Sequence, residues 1–411
     1  MPLTCAGRYG EGRGVNSGIY PYMIILEVNE MKKLTAIVLT LLLCIGLLAG
    51  CGVTIVQHLD STDPAPTPDT TDPAAEESPE ATEPADERVT ANPVVEVPEG
   101  QLAMGFYMVA AYDTSYSGSK SASADAAGLA LAAVDIYAVT INSEGVIVDC
   151  KIDAIQAKTN FDASGVITTD LTSAILSKME LQDDYAMRGA SGIGAEWFEQ
   201  VEALEDYCVG KTPEEVAGIA LDGDGKATDA DLIAGITMPL ADFVDGVVSA
   251  CNNARVNGAA EGDTLYLKQS SQYSDSCASA SADADGLAQV DVTAGAYTMD
   301  ASGVITDIDL DCVQTKINFN ASGELTTAEG TTWETKTALD DEYDMRKASP
   351  IGAEWDEQTA FFEEYCVGKT VDQVAGISID AESNHPTEAD LITGCTMNVN
   401  AFIEVLTKSA A

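Results

Sequence analysis

The sequence predicts an α+β protein: two tandem copies of a β-hairpin-rich sheet domain with packed helices, preceded by a signal peptide and a disordered linker. Three observations predict it. The second part of the chain repeats itself, strand-type segments precede helix-type segments within each copy, and composition changes sharply near residue 100.

The repeat is read directly. Tyr185-Ala186-Met187-Arg188 recurs as Tyr343-Asp344-Met345-Arg346, and Gly194-Ala195-Glu196-Trp197 as Gly352-Ala353-Glu354-Trp355. Tyr207-Cys208-Val209-Gly210-Lys211-Thr212 recurs as Tyr365-Cys366-Val367-Gly368-Lys369-Thr370. The offset is 158, becoming 159 after a one-residue insertion near His385, so the copies run 102–255 and 262–411. A repeat of this kind marks one structural unit used twice.

Each copy opens with strands. Segments 134–141 and 146–152 flank the turn Asn142-Ser143-Glu144-Gly145, and 290–299 and 304–310 flank Asp300-Ala301-Ser302-Gly303. Glycine-containing loops of this length are hairpin signals. A second glycine turn follows in each copy, Asp162-Ala163-Ser164-Gly165 and Asn320-Ala321-Ser322-Gly323.

Helices come next. Over 195–208, Trp197, Val201, Leu204 and Cys208 fall on one helical face and Gly210 supplies the stop. Thr212-Pro213-Glu214-Glu215 is a capping box with proline at the first helical position, and Thr370-Val371-Asp372-Gln373 repeats the box. Apolar-periodic helices over 239–251 and 398–408 close the two copies. Strands followed by helices, without strict alternation, argue α+β.

The 411 residues are 46% hydrophobic, enough for real cores. The net charge is −47, and from Cys51 onward the chain holds 16 basic and 64 acidic residues. Such a field repels nucleic acid and anionic headgroups, which excludes DNA, RNA and basic-patch membrane binding. Only His58 and His385 are available, so a histidine triad or zinc centre is excluded as well.

Residues 31–51 read as an export signal. Lys32 and Lys33 form a positive start, 34–48 a short apolar run, and Ala49-Gly50 precede Cys51. Met31 is the better start, which makes 1–30 a mis-start and 31–50 the signal peptide. The ending Leu48-Ala49-Gly50-Cys51 resembles the lipobox of bacterial lipoproteins, which implies a lipid thioether on Cys51. From 62 to 98 the chain is rich in Pro, Thr, Ala, Asp and Glu, so 51–101 is expected to be a lipidated, extended, self-repelling tether. The implied location is the outer face of the cell membrane, with a Gram-positive surface favoured.

One segment in each copy carries a functional hint. It reads Asp231-Leu232-Ile233-Ala234-Gly235-Ile236-Thr237 in the first and Asp390-Leu391-Ile392-Thr393-Gly394-Cys395-Thr396 in the second. Both resemble the flavinylation motif of the FMN-binding domain family: Asp, two variable residues, Ser or Thr, Gly, Ala, Thr. The chain as a whole is similar to tandem surface lipoproteins of extracellular electron transfer. The resemblance implies FMN joined through its phosphate to Thr396 and Thr237, with Asp390, Asp231, Gly394, Gly235 and Thr393 as motif positions. It implies as partners a flavin transferase, a membrane quinol oxidase or dehydrogenase, and an external electron acceptor. It implies an electron carrier rather than an enzyme with its own substrate. Departures fall at Ala234, which replaces the Ser or Thr, and at Ile236 and Cys395, which replace the small Ala. They leave open a second reading, a non-redox surface binding or antigen lipoprotein on a degenerate FMN-binding scaffold.

Other paired residues are open to both ligand contact and structural use. The basic pairs are Lys158/Lys316, Lys178/Lys336, Arg188/Arg346 and Lys211/Lys369. The aromatic pairs are Phe161/Phe319, Tyr185/Tyr343, Trp197/Trp355 and Tyr207/Tyr365. Seven cysteines follow Cys51, an odd number with only Cys208/Cys366 paired by the repeat, which argues against a disulfide framework. No nucleophile–base constellation and no metal ligand set is expected. Asp222-Gly223-Asp224-Gly225-Lys226 carries lysine at the third ligand position of a calcium loop.

Overall fold

A computed structural model describes residues 88–92, 95–112 and 118–408. The expected mis-start, signal peptide, Cys51 and most of the tether lie outside the described residues. No helix among the described residues is long and apolar enough to cross a membrane.

The described part is α+β, with two antiparallel sheets and packed helices. In the first repeat, β1 (Ala103–Tyr112), β2 (Gly128–Ile141) and β3 (Ile147–Phe161) form a meander. Helices α1 (Lys178–Leu181), α2 (Trp197–Cys208), α3 (Pro213–Ala217), α4 (Ala230–Ile233) and α5 (Ala241–Asn252) follow. In the second, β4 (Thr264–Tyr273), β5 (Gly286–Met299) and β6 (Ile305–Phe319) form an equivalent meander. The short β7 (Thr332–Trp333) precedes α6 (Lys336–Leu339), α7 (Trp355–Cys366), α8 (Val371–Ala375) and α9 (Asn400–Thr407).

The hairpins stand where the glycine turns place them, but their strands run longer than the apolar runs suggest. β2 starts six residues before 134 and β3 ends nine after 152. The first strand of each meander, β1 or β4, follows a glycine turn, at Gly100 or Gly262, and was missed by the sequence reading.

Each sheet has two covered faces. On the outer face of the first sheet, Tyr137, Val139 and Ile152 meet Val201 and Leu204 of α2 and Val244 and Val247 of α5. On the outer face of the second, Tyr297, Ile308 and Leu310 meet Trp355 and Phe362 of α7 and Val405 of α9. The inner faces pack on one another: Phe106, Met108 and Ile136 share a core with Leu265, Val292 and Ala294. This explains why β2 and β5 read as almost continuous apolar runs rather than alternating ones.

The contact between the repeats is reciprocal. Ala122 N–H donates to Gly323 O at 2.7 Å, and Ala280 N–H donates to Gly165 O at 2.7 Å. Leu325 N–H donates to Ser121 Oγ and Ile167 N–H to Ser279 Oγ, both at 3.0 Å. Every partner is matched 158 residues away, the signature of an isologous interface. Gly165 and Gly323 have φ of +70° and +71°, and a Cβ on Gly165 would stand 2.5 Å from Asn320 O. Other contacts break the symmetry: β7 of the second repeat pairs with β1 of the first through Ala110 and Trp333, extending that sheet to the order β3-β2-β1-β7, and Lys408 and Gln269 both meet Glu180.

Candidate functional site

The motif threonines sit in closely matching surroundings. Thr237 follows the short α4 and precedes α5; Thr396 follows the 3-10 turn Leu391–Thr393 and precedes α9. Both are half-buried. Gln200 Oε1 accepts from Thr237 N–H at 2.9 Å and from Thr237 Oγ1 at 3.3 Å. Gln358 Oε1 accepts from Thr396 N–H at 2.9 Å and from Thr396 Oγ1 at 3.1 Å. Each glutamine is fully buried on the sheet-facing helix and aimed by its amide, which donates to Ser191 Oγ or Ser349 Oγ and to Ala195 O or Ala353 O. A buried amide is tolerable only when its hydrogen-bonding groups are matched in this way.

The glutamines were missed by the sequence reading. The available signal was a polar residue kept in both copies, three positions after Trp197 and Trp355, on the helix face that carries the tryptophan.

Two of the three departures from the motif are placed by the core, while Ala234 is exposed. Ile236 and Cys395 are buried and point into the helix–sheet cores. Their bulk therefore lies away from the threonine hydroxyls. The glycines answer to the neighbouring helix: a Cβ on Gly394 would stand 2.2 Å from the Phe361 ring, and one on Gly235 2.9 Å from Ala203 Cβ. Asp231, Asp390 and Thr393 are exposed. Thr393 Oγ1 donates back to Asp390 O at 2.7 Å, a local turn contact. The structure thus joins each threonine to a glutamine and leaves the motif aspartates and Thr393 at the surface.

Both motifs and the loops before the preceding helices carry exposed apolar residues. Ile233 and Ile392 within the motifs are exposed, as are Ile193 and Ile351 in the preceding loops. The first of these loops abuts the site, since a Cβ on Gly192 would be 4.0 Å from Thr237 Cγ2. The loops are braced by arginine. Arg188 donates to Gly194 O, Asp183 and Glu199, and Arg346 to Gly352 O, Asp341 and Glu357. Those bonds draw the guanidinium pKa values up and engage both groups within the protein.

The helices after the threonines open without a threonine cap. Leu240 and Val399 hold the cap positions and neither supplies a side-chain bond, so first-turn N–H groups of α5 remain unclaimed by a cap. At α9, Asn398 Oδ1 takes only the Asn400 N–H.

The other paired residues separate by role. Phe161 and Phe319 stack on each other between the repeats, and Trp197 and Trp355 are core. Lys211 and Lys369 donate to Tyr207 O and Tyr365 O at helix ends. All seven cysteines among the described residues are free thiols. Burial pushes Cys395 up to about 11, so it stays a neutral space-filling thiol. Asp222 Oδ1 accepts from Asp224 N–H and Lys226 N–H and so serves its own turn. No cluster suited to a metal ion occurs among the described residues.

Comparison with known proteins adds no relative: no protein-family model, no curated protein and no solved structure matches the chain.

Proposed function

We propose that the chain is a membrane-anchored extracellular electron carrier, held by a lipid on Cys51, with FMN joined through its phosphate to Thr396 and to Thr237. The anchor, the tether and the tandem flavin domains belong to this reading together. A flavin transferase makes the bond, the threonine hydroxyl oxygen replacing a nucleoside monophosphate on the FMN phosphorus of a flavin dinucleotide; a membrane quinol oxidase or dehydrogenase supplies electrons, and an external acceptor takes them.

The observation that carries the proposal is the duplicated hydroxyl environment. In both repeats a half-buried threonine hydroxyl donates to a buried glutamine, the residue before it turns into the core, and an exposed isoleucine lies four residues earlier in the chain. A bulky planar group attached there would cover apolar surface that is otherwise open to water. The uncapped first turn of α5 offers N–H donors and a positive dipole end that suit a phosphate. Bound flavin supplies transfer of one or two electrons, which suits a relay between two-electron donors and one-electron acceptors. The chain's own residues hold and orient the acceptor hydroxyl, and Arg188 and Arg346 keep the flanking loops in place.

Intact-mass measurement on protein produced with a flavin transferase tests the proposal. A gain of one or two FMN groups, each less one water, supports it.

One observation favours the second reading, a flavin-free surface binding lipoprotein. Each threonine already has a complete structural role in its bond to glutamine. Unmodified mass after co-production with the transferase would select that reading.

A further inference from the structure

Away from the threonines, both repeats form the same recess. In the first it is about 240 Å³ and is lined by Gln156, Lys158, Ile175, Lys178, Leu181 and Tyr185, with others. In the second it is about 590 Å³, and the residue 158 positions on lines it in every case: Gln314, Lys316, Trp333, Lys336, Leu339 and Tyr343. Two of the four duplicated basic pairs and one duplicated tyrosine pair therefore meet in one place.

The lysines there are not spent on carboxylates. Among the described residues, ion pairs use Lys151, Arg188, Arg255, Arg346, Lys347 and Lys408, and none uses Lys158, Lys178, Lys316 or Lys336. The chain holds 67 acidic residues against 20 Lys and Arg, so two unpaired lysines in one recess run against its composition. Lys178 Nζ stands 5.2 Å from the Tyr185 ring centroid and 5.0 Å from that of Trp197. Lys336 Nζ stands 4.8 Å from Tyr343 and 5.3 Å from Trp355. Aromatic faces at this range hold an ammonium group in place without neutralising it.

We propose that the first-repeat recess, built on Lys158, Lys178 and Tyr185, is a binding site for a small organic anion with a flat apolar body, such as an aryl phosphate or aryl carboxylate. The two ammonium groups meet the anion, and Ile175, Leu181 and the tyrosine ring take the apolar body. The second recess is a weakened copy. Glu334 lines it, and Leu176 stands at its place in the first. Asp291 adds its field at Lys336, where the first repeat has Ala133. The site does not depend on flavin at either threonine.

The test is calorimetric titration of the full chain, produced without a flavin transferase, with phenyl phosphate as probe. The expected result is saturable binding at one site that weakens with added salt. Lys158→Met should weaken it roughly tenfold or more, the scale of losing one charge-assisted contact. Lys316→Met should leave it unchanged, and inorganic phosphate should bind far more weakly. Lys158 is exposed on a strand edge, so its loss spares the fold, and unchanged melting will verify that. Absence of saturable binding overturns the proposal. So does binding that survives Lys158→Met, or that falls equally with Lys316→Met.

Discussion

The rings of Phe161 and Phe319 stack at 4.2 Å between centroids and 7° between planes, although 158 residues separate them in sequence. They occupy the same position in the two repeats, so the approximate symmetry axis passes between them. Gly128 and Gly286 make room for the rings, since a Cβ on either would stand 2.4 Å from its own repeat's phenylalanine. The repeats share a core here and should unfold together. Phe319→Ala should cost about 3–5 kcal/mol, the usual loss for a buried phenylalanine. Denaturant unfolding followed by tryptophan fluorescence and by far-ultraviolet dichroism should give coincident single transitions, in the wild type and in the variant. Two separated transitions would contradict the shared core.

Stability should rise on mild acidification. Burial pushes the carboxyl groups of Asp153 and Asp307 up to about 6, of Asp309 up to about 7, and of Glu205 up to about 8. Burial also raises Glu363 well above the usual carboxylate range. Each group binds its proton more tightly folded than unfolded. The stability linked to it is therefore present below the unfolded value near ~4 and is lost as pH climbs through 6 to 8. Groups with lowered values, such as Glu180 and Glu388, act in the other direction only where pH falls below the usual carboxylate range. Tm should be higher at pH 5.5 than at pH 8, and a Glu205→Gln variant should show a flatter profile across that window. A Tm that falls between pH 8 and pH 5.5 would refute the assignment.

The two motif glycines should respond unequally to substitution. At Gly394 a new Cβ meets the Phe361 ring, whereas at Gly235 it meets only Ala203 Cβ. Gly394→Ala should cost about 1–3 kcal/mol as overpacking, and Gly235→Ala less. Phe361→Ala should relieve the Gly394→Ala penalty in a double-mutant cycle, read by urea midpoint. Additive costs would show that the ring is not the obstacle.

The glutamines should matter to the fold as well as to the threonines. Gln358→Ala leaves the Thr396 N–H and hydroxyl without their acceptor, for a cost of about 1–3 kcal/mol. Amide exchange at Thr396 should accelerate more in this variant than exchange at buried strand positions of β5. Unchanged protection at Thr396 would mean that the bond contributes little.

Much of this architecture was legible in the sequence. The glycine turns and both capping boxes stand where the residues place them, because each signal is local and has one structural use. Trp197, Val201, Leu204 and Cys208 are all buried, as their helical spacing indicates. β1 and β4 were not legible, although turns at Gly100 and Gly262 stand just before them, since each is defined by its partner strand. The bonds of Gln200 and Gln358 to the threonines were hidden for the same reason: they join residues 37 and 38 positions apart. Ile236 and Cys395 looked like obstacles at the motif because sequence gives a residue's bulk and not its direction.

The central claim is tested most directly by flavin fluorescence of the denatured protein band. The chain would be produced with a flavin transferase as wild type, Thr396→Ala, Thr237→Ala and the double variant. A fluorescent wild-type band that dims with Thr396→Ala and goes dark in the double variant is the predicted result. A dark wild-type band, or fluorescence that persists in the double variant, would contradict the account.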